Sequence, residues 1–187
     1  MTNRMLNSLL VLSMLVWLGC TDFGVTRKSM SELSQSPSPS PSASPGPTPL
    51  LRGPWKMGAV GYQHACGVTE KGVFCWGDNT WGQLGLGFSV QKSLTPKLAL
   101  ERSDVTSIAA GYWHTCAVAG GRLYCWGSNT SGILGIGSSR RVDRPHLVPS
   151  LSNVTDVSAG LLNTCAIADS NLYCWGSNAS GQLGIGE

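Results

Sequence analysis

The sequence offers seven cysteines as its most reactive side chains. One stands alone after an apolar N-terminal run, and the other six form three pairs whose partners are nine positions apart. The pairs are Cys66 and Cys75, Cys116 and Cys125, and Cys165 and Cys174. They recur at steps of 50 and 49 residues, so one structural unit that holds two thiols together is repeated along the chain.

The turn between the second pair predicts how the two thiols meet. Residues 114–119 and 122–126 read as two strands around Gly120-Gly121, a composition typical of a two-residue hairpin turn. Counting outward from this turn places Cys116 opposite Cys125 in a non-hydrogen-bonded pair, with α-carbons about 4.5 Å apart. A disulfide can span that distance. The same count applies to the other pairs, so we predict three cross-strand disulfides.

Two other chemistries compete for these cysteines. His64 and His114 each precede a cysteine by two residues, and one histidine with two cysteines would suit zinc. The third unit has Asn163 at that position, and an exported protein meets an oxidising environment. We therefore predict disulfides and neither metal nor cofactor, with buried reduced thiols as the remaining alternative.

The isolated Cys20 ends a segment with the features of an export signal. Arg4 supplies positive charge, and residues 5–18 follow without a charged side chain, a run too short to span a bilayer comfortably. Residues 17–20 resemble a bacterial lipobox, in which the cysteine receives diacylglycerol. We predict a signal peptide over residues 1–19 and a lipid anchor on Cys20 at the bacterial cell envelope. The resemblance favours the outer membrane where the host has one, and an ordinary secretory signal is the alternative.

The composition of residues 36–49 predicts a linker between the N-terminal segment and the repeats. Residues 36–49 alternate proline with serine and other small residues, which favours extended polyproline II and prevents sheet formation. We therefore predict a disordered, lipid-anchored tether over residues 20–53.

The net charge of +3, with 12% charged residues, creates no field strong enough to predict a nucleic-acid partner.

A longer pattern surrounds each cysteine pair, over residues 59–87, 109–137 and 158–186. It ends as Cys-Trp-Gly-x-Asn-x-x-Gly-x-Leu-Gly-x-Gly and resembles the repeat of the regulator of chromosome condensation family. The positions that carry the resemblance in the second unit are Gly111, His114, Trp126, Gly127, Asn129, Gly132, Leu134, Gly135 and Gly137.

The resemblance implies an all-β protein in which each unit is a four-stranded propeller blade that needs neighbours to cover its apolar faces. Propellers of the family have seven blades. We therefore predict a partial β-propeller of about three blades, over units at about 54–104, 105–153 and 154–187, the last incomplete. The arc is expected to be a truncated product, to self-associate and close the ring, or to be capped by residues 50–58 folding onto the last blade.

Loop positions that vary between units inside the constant frame are candidates for partner binding. They are Tyr62, Trp81, Tyr112, Trp113 and Leu161. Large aromatic side chains in loops suit protein recognition, and packing against the adjacent blade is the alternative role. We predict a non-enzymatic envelope lipoprotein that binds a protein partner through these loops, the partner itself being unknown.

Three other functions are weaker predictions. A truncated gene fragment with no independent function is one. A hydrolase or lyase in the propeller channel is another, but the acidic residues do not recur in register from unit to unit. The founding members of the family promote nucleotide exchange on a small GTPase, and the export signal disfavours that activity here.

Overall fold

The computed structural model describes residues 53–186, so the predicted signal peptide, Cys20 and most of the tether lie outside the described residues. Eleven β-strands form three antiparallel sheets in this range. The strands are β1 (Met57–Val60), β2 (His64–Thr69), β3 (Gly72–Asp78), β4 (Lys92–Leu100), β5 (Val105–Ala110), β6 (His114–Ala119), β7 (Arg122–Gly127), β8 (Val142–Leu147), β9 (Val154–Ala159), β10 (Asn163–Ala168) and β11 (Asn171–Gly176). A short 3₁₀ turn covers Thr130–Gly132. No helix within residues 53–186 is long and apolar enough to cross a membrane.

The three sheets are arranged as the blades of a propeller. The first and second sheets have the orders β1-β2-β3-β4 and β5-β6-β7-β8, and the third has β9-β10-β11. Strand β5 packs against both β1 and β9, so the first strand of each sheet is innermost and the later strands lie progressively outward. This arrangement confirms the prediction of an all-β, partial propeller of about three blades. Within the described residues the third blade has three strands.

The hairpin register agrees with the register predicted from the sequence. Cys116 lies opposite Cys125, and Ala119 lies opposite Arg122. Both turn residues, Gly120 and Gly121, have positive φ values of 57° and 68°, which their lack of a β-carbon permits. The equivalent cysteines are opposite each other in the other blades. All three pairs are bonded as disulfides, with α-carbons 4.1 Å apart.

The hydrophobic core lies between blades, because each sheet has apolar faces that an adjacent blade covers. The cluster between the first and second blades is formed by Cys66, Val68, Val73, Cys75, Leu84, Val105, Ala117, Ala119 and Trp126. An equivalent cluster joins the second and third blades around Cys116, Val118, Leu123 and Cys125. The first two disulfides therefore face the blade that follows each of them in the chain.

A buried polar chain crosses each blade interface beside the apolar cluster. Between the first two blades, His64 Nε2 lies 2.8 Å from Thr115 Oγ1. Thr115 Oγ1 in turn donates to the carbonyl oxygen of Gln83 at 2.9 Å, which also accepts a hydrogen bond from Trp126 Nε1. A threonine hydroxyl has only one proton to donate, so His64 must donate from Nε2 to Thr115.

The second interface repeats this chain with equivalent residues. His114 Nε2 lies 3.0 Å from Thr164 Oγ1, and both Thr164 and Trp175 donate to the carbonyl oxygen of Ile133. The first blade has Ala65 at the threonine position, and the third blade has Asn163 at the histidine position. Each terminal blade therefore has only the half of the chain that faces the middle blade.

Burial keeps both histidines neutral. Burial lowers the pKa of His64 to about 4, against a smaller opposing effect of the charge of Asp78. Burial, with a further contribution from His64, lowers the pKa of His114 to about 4. The hydrogen bond to threonine requires a proton on Nε2, and the neutral tautomer that is protonated there supplies it.

The face of the first blade that points away from the second is covered by Trp55. The indole packs edge-on against Phe74 and Trp76, with ring centroids 6.1 Å apart in both cases. A β-carbon at Gly67 would lie 2.6 Å from the Trp55 ring, so the glycine makes room for the indole. Trp55 thus packs onto the first blade, and the alternative in which this segment caps the last blade was wrong for Trp55.

Candidate protein-binding rim

All five predicted binding residues lie in loops at one rim of the arc. In an antiparallel blade, the loops after the first and third strands emerge on the same side. These loops cover residues 61–63 and 79–91 in the first blade, 111–113 and 128–141 in the second, and 160–162 in the third. The rim therefore carries these variable positions within loops that also contain the constant glycines and asparagine of the repeat.

The innermost loops stack on one another through glycines. Gly61 N donates to His64 O, and the same turn recurs at Gly111 and at Gly160. A β-carbon on Gly61 would lie 2.5 Å from the carbonyl oxygen of Gly111, and one on Gly111 would lie as close to that of Gly160. As a result, the side chains that directly follow these glycines in successive loops lie close together near the axis.

Tyr62 and Tyr112 occupy that position in the first two blades. Their rings are stacked, with centroids 4.2 Å apart and planes inclined by 12°. Hydrogen bonding to Tyr62 raises the pKa of the Tyr112 phenol. Tyr62 remains 60% exposed, so the stack presents aromatic surface to solvent at the rim.

Two tryptophans extend the tyrosine stack away from the axis. The Trp113 ring meets the Tyr112 ring edge-on at a centroid distance of 4.3 Å, and the Trp81 ring lies 5.3 Å from Trp113. Trp81 belongs to the first blade and Trp113 to the second. Four of the five predicted residues thus form one continuous aromatic row across a blade boundary.

A polar network holds the loop that carries Trp81. Asp78 accepts hydrogen bonds from the backbone and hydroxyl of Thr80 and from Gln83 Nε2. The Gln83 side-chain oxygen accepts from Trp81 N at 2.8 Å. Gln83 is fully buried, so this loop has a fixed conformation before any partner binds.

Phe88 and Arg141 complete the row, and sequence reasoning missed both. The Arg141 guanidinium carbon lies 4.4 Å from the Phe88 ring centroid and 5.8 Å from that of Trp81, within the range of cation–π attraction. The second unit has Ser138 where the first has Phe88, and the first has Gln91 where the second has Arg141. The same comparison of units that found Trp81 could have found them. We call Tyr62, Trp81, Phe88, Tyr112, Trp113 and Arg141 the aromatic patch.

Leu161 is separate from the aromatic patch. It occupies the loop of the third blade that corresponds to the loops of Tyr62 and Tyr112, and it is 61% exposed. It lies on the predicted rim, but its side chain adds no aromatic surface to the row.

The rim offers aromatic contact surface and charged side chains for binding. The cysteines are bonded in pairs, and both His64 and His114 lie in the buried polar chains. Residues 53–186 contain no group of three or more histidine, cysteine, aspartate or glutamate side chains that could hold a metal ion. A rigid, exposed set of aromatic rings with one stacked arginine is suited to recognition of a macromolecular partner.

Radial antiparallel blades, shared interfaces and a loop-built rim define a protein of the β-propeller class. The model of the Regulator of chromosome condensation (RCC1) repeat matches residues 71–118 and 120–167. A second model of the same repeat matches residues 58–83, 105–133 and 154–182. The chain belongs to the RCC1 repeat family.

Similar proteins come from several eukaryotes. Prp20p from Saccharomyces cerevisiae, whose crystal structure is described with its binding properties to Gsp1p and histones, is 26% identical with a TM-score of 0.64. Human WBSCR16 is 26% identical with a TM-score of 0.61. The probable E3 ubiquitin-protein ligase HERC4 of Rattus norvegicus is 49% identical over 41 residues.

The two structural similarities cover most of this chain but about a third of the larger proteins, and the match to HERC4 is shorter. The alignments cover 72% of this chain and 36% of Prp20p, and 71% of this chain and 37% of WBSCR16. The match to HERC4 covers 21% of this chain and 4% of that ligase. The chain therefore spans about a third of the length of the structures that it resembles.

Proposed function

We propose that this chain is a non-enzymatic binding protein of the bacterial cell envelope, and that the aromatic patch contacts a protein partner. The observation that carries the proposal is the continuous aromatic row across the first two blades. Tryptophan, tyrosine and arginine are the residues most enriched among those that dominate binding energy at protein interfaces. The polar network around Asp78 and Gln83 limits the conformational entropy that binding would cost.

The similar structures support a binding role. Prp20p is described as binding Gsp1p and histones, and a further structure shows Kap60 bound to the same yeast protein. Propellers of this family can therefore recognise proteins. A fold does not carry a particular partner with it, and the partner of this chain remains to be found by experiment.

The location in the envelope rests on the sequence around Cys20. Acylation at this residue would anchor the protein, because bacterial lipoproteins carry more than one acyl chain and stable anchoring needs more than one. The predicted tether would then separate the propeller from the lipid by roughly 40 Å if its proline-rich part is extended at ~3.1 Å per residue.

Fractionation of cells that express the full chain tests the anchor. The native protein is expected in the membrane fraction, and the Cys20→Ser variant is expected to lose that association. Metabolic labelling with a clickable fatty acid should mark only the native chain. Equal membrane association of the two proteins, without label, would reject the lipid anchor.

Site-specific photocrosslinking in intact cells tests the binding rim. With p-benzoyl-phenylalanine at Tyr112, we expect a discrete crosslinked protein band that is absent when the same group replaces Arg122. Arg122 is exposed in the hairpin turn at the opposite rim, so it controls for random collision. Crosslinks of equal yield from both positions, or none from Tyr112, would contradict the proposed role.

Self-association is a second part of the proposal, and one exposed face favours it. The outward face of the third blade exposes Ile167 to 40% and Leu172 to 70%, and apolar surface of this kind marks contact sites. Sedimentation velocity of the full chain should show oligomers that the Leu172→Lys variant lacks. A monomer at all concentrations would reject this part.

A further inference from the structure

Two arginines at the aromatic patch form no ion pair with a carboxylate of residues 53–186. Arg140 and Arg141 are adjacent and exposed. Among the described residues, the ion pairs are Lys56 with Glu70 and Arg102 with Asp104, so neither arginine of the rim is paired. The charge is therefore available to a partner.

The acidic groups nearest to the patch in the sequence have internal hydrogen-bond partners. Asp143 accepts from Phe88 N at 2.8 Å. Asp78 accepts from Thr80 and from Gln83 Nε2. Both carboxylates hold the loops that carry the rings. Both carboxylates keep their negative charge, but among the described residues neither is paired with Arg140 or Arg141.

The Arg141 guanidinium lies within cation–π distance of two rings of the patch. The group lies over the Phe88 ring and also near that of Trp81. A guanidinium that stacks by its face keeps its N–H donors in its own plane, where a carboxylate can accept two parallel hydrogen bonds. The geometry favours a carboxylate over an uncharged polar group at this end of the patch.

Other groups of the protein already cover some of the ring faces in the patch. Tyr62 and Tyr112 cover one face of each other, and Arg141 covers one face of Phe88. Sugars and nucleic-acid bases bind best to open ring faces. A peptide can instead place side chains against the edges and gaps of such a row, as aromatic anchors do at protein interfaces.

We propose that the aromatic patch binds an acidic peptide segment of the partner protein. A carboxylate of the segment pairs with Arg141, and an aromatic side chain beside that carboxylate packs against Trp81 and Trp113. This inference rests on the proposed binding function and adds the chemical class of the bound segment.

Fluorescence anisotropy with labelled synthetic peptides of equal length tests the proposal on the full chain. One peptide alternates glutamate and tyrosine, one alternates lysine and tyrosine, and one alternates glutamate and alanine. We expect the glutamate–tyrosine peptide to bind most tightly. Its affinity should fall as salt is added, because salt screens exposed charges. A single-stranded oligothymidine is the competitor that reports on nucleic-acid binding.

Matched variants locate the site. Arg141→Gln should weaken binding of the glutamate–tyrosine peptide on the order of tenfold, since hydrogen bonds to charged groups are among the stronger ones. Arg141→Lys should weaken it less, because lysine keeps the charge but loses the planar pair of donors. Arg122→Gln, at the opposite rim, should bind as the native protein does.

Three results would overturn the inference. They are equal binding of the lysine–tyrosine peptide, unchanged affinity in Arg141→Gln, and displacement of the peptide by oligothymidine at lower concentration than by unlabelled peptide. Photocrosslinking from Tyr112 reports on the binding function separately. A protein crosslink that persists while the acidic peptide fails to bind would reject the peptide class and leave the binding role in place.

Discussion

Thr115 and Thr164 are the residues through which adjacent blades share hydrogen bonds. Each hydroxyl donates to a carbonyl of the preceding blade and accepts from a histidine of that same blade. Thr115 is fully buried, so its partners have no water to replace it. The loss of one buried partner costs more than the hydrogen bond contributes, because the other groups stay desolvated.

We predict that Thr115→Val lowers the free energy of unfolding by about 1–3 kcal/mol. Valine keeps the shape of threonine but leaves His64 Nε2 and the Gln83 carbonyl short of a partner. Urea unfolding followed by far-UV circular dichroism measures the change. Thr106→Val is the control, because Thr106 is exposed in β5, and its stability should match the native value within error. Equal stability of both variants would show that the polar chain contributes nothing.

The sequence identified the histidine and tryptophan positions of this chain but not the threonines that join them. The repeated position of His64 and His114 marked them as framework residues, and the structure buries both. Their partners are 51 and 50 residues away in the next blade. No local pattern links a histidine to a threonine at that distance, so the pairing required the packed blades.

At the level of strands and hairpins, the three disulfides differ in exposure. Cys66, Cys75, Cys116 and Cys125 are buried by the blade that follows each pair. Cys165 and Cys174 lie on the outward face of the third blade and are partly exposed. Reductant and thiolate reach an exposed disulfide more readily than a buried one.

We predict that mild reduction of the native protein opens the Cys165–Cys174 bond first. Brief treatment with a phosphine, alkylation and peptide mass spectrometry would report which cysteines have reacted. In concentrated urea the three pairs should react alike, which serves as the control. Earlier alkylation of Cys116 or Cys125 than of Cys165 would contradict the arrangement of the blades.

The contact between Trp55 and Gly67 allows a second prediction about how the strands pack. We predict that Gly67→Ala displaces the indole, because the new methyl group would lie 2.6 Å from the Trp55 ring, and that it destabilises the protein by about 1–3 kcal/mol. Thermal unfolding measures the loss. Gly58→Ala is the matched control, since its methyl group would meet only ordinary contact at 3.7 Å.

A double substitution separates overpacking from other effects. In a Trp55→Ala background, Gly67→Ala should cost nothing further, because the clash has been removed. An undiminished cost in that background would mean that Gly67 is required for a reason unrelated to the indole.

The sequence predicted the positions of strands and turns wherever neighbouring residues alone determine them. The Gly120-Gly121 turn fixed the hairpin register, and the glycines of residues 132–137 formed turns with positive φ. The aromatic patch followed only in part, because Phe88 and Arg141 come from different blades and meet through tertiary structure. One alternative placed residues 50–58 on the last blade, whereas Trp55 packs on the first, because no local pattern distinguishes one apolar end face from the other.

For the whole molecule, the neutral histidines predict sensitivity to acid. Both have a pKa of about 4 when folded, below the ordinary value of 6.5. Between these values the unfolded chain binds protons that the folded chain does not, so stability falls as the pH decreases from about 6.5 to about 4. The loss is roughly 1.4 kcal/mol per pKa unit for each histidine.

Urea unfolding across this pH range measures the effect. His114→Asn introduces the residue found at Asn163 and should reduce the pH dependence by about half, since one of the two buried histidines remains. His146→Gln removes an exposed histidine and should leave the profile unchanged. A native profile that is flat from neutral pH to about pH 4 would contradict the burial of both imidazoles.

Of the three units described, the middle one carries both halves of the buried polar chain, so it could pair with a copy of itself. It has Thr115 and Trp126 to meet a preceding copy, and it has His114 and the Ile133 carbonyl to meet a following one. A tandem duplication of this segment would supply every polar partner at the new junction. A duplicated first unit would place Ala65 there, and a duplicated third unit would place Asn163 there. Among these three units, the middle one is therefore the unit whose duplication would keep the buried polar chain intact.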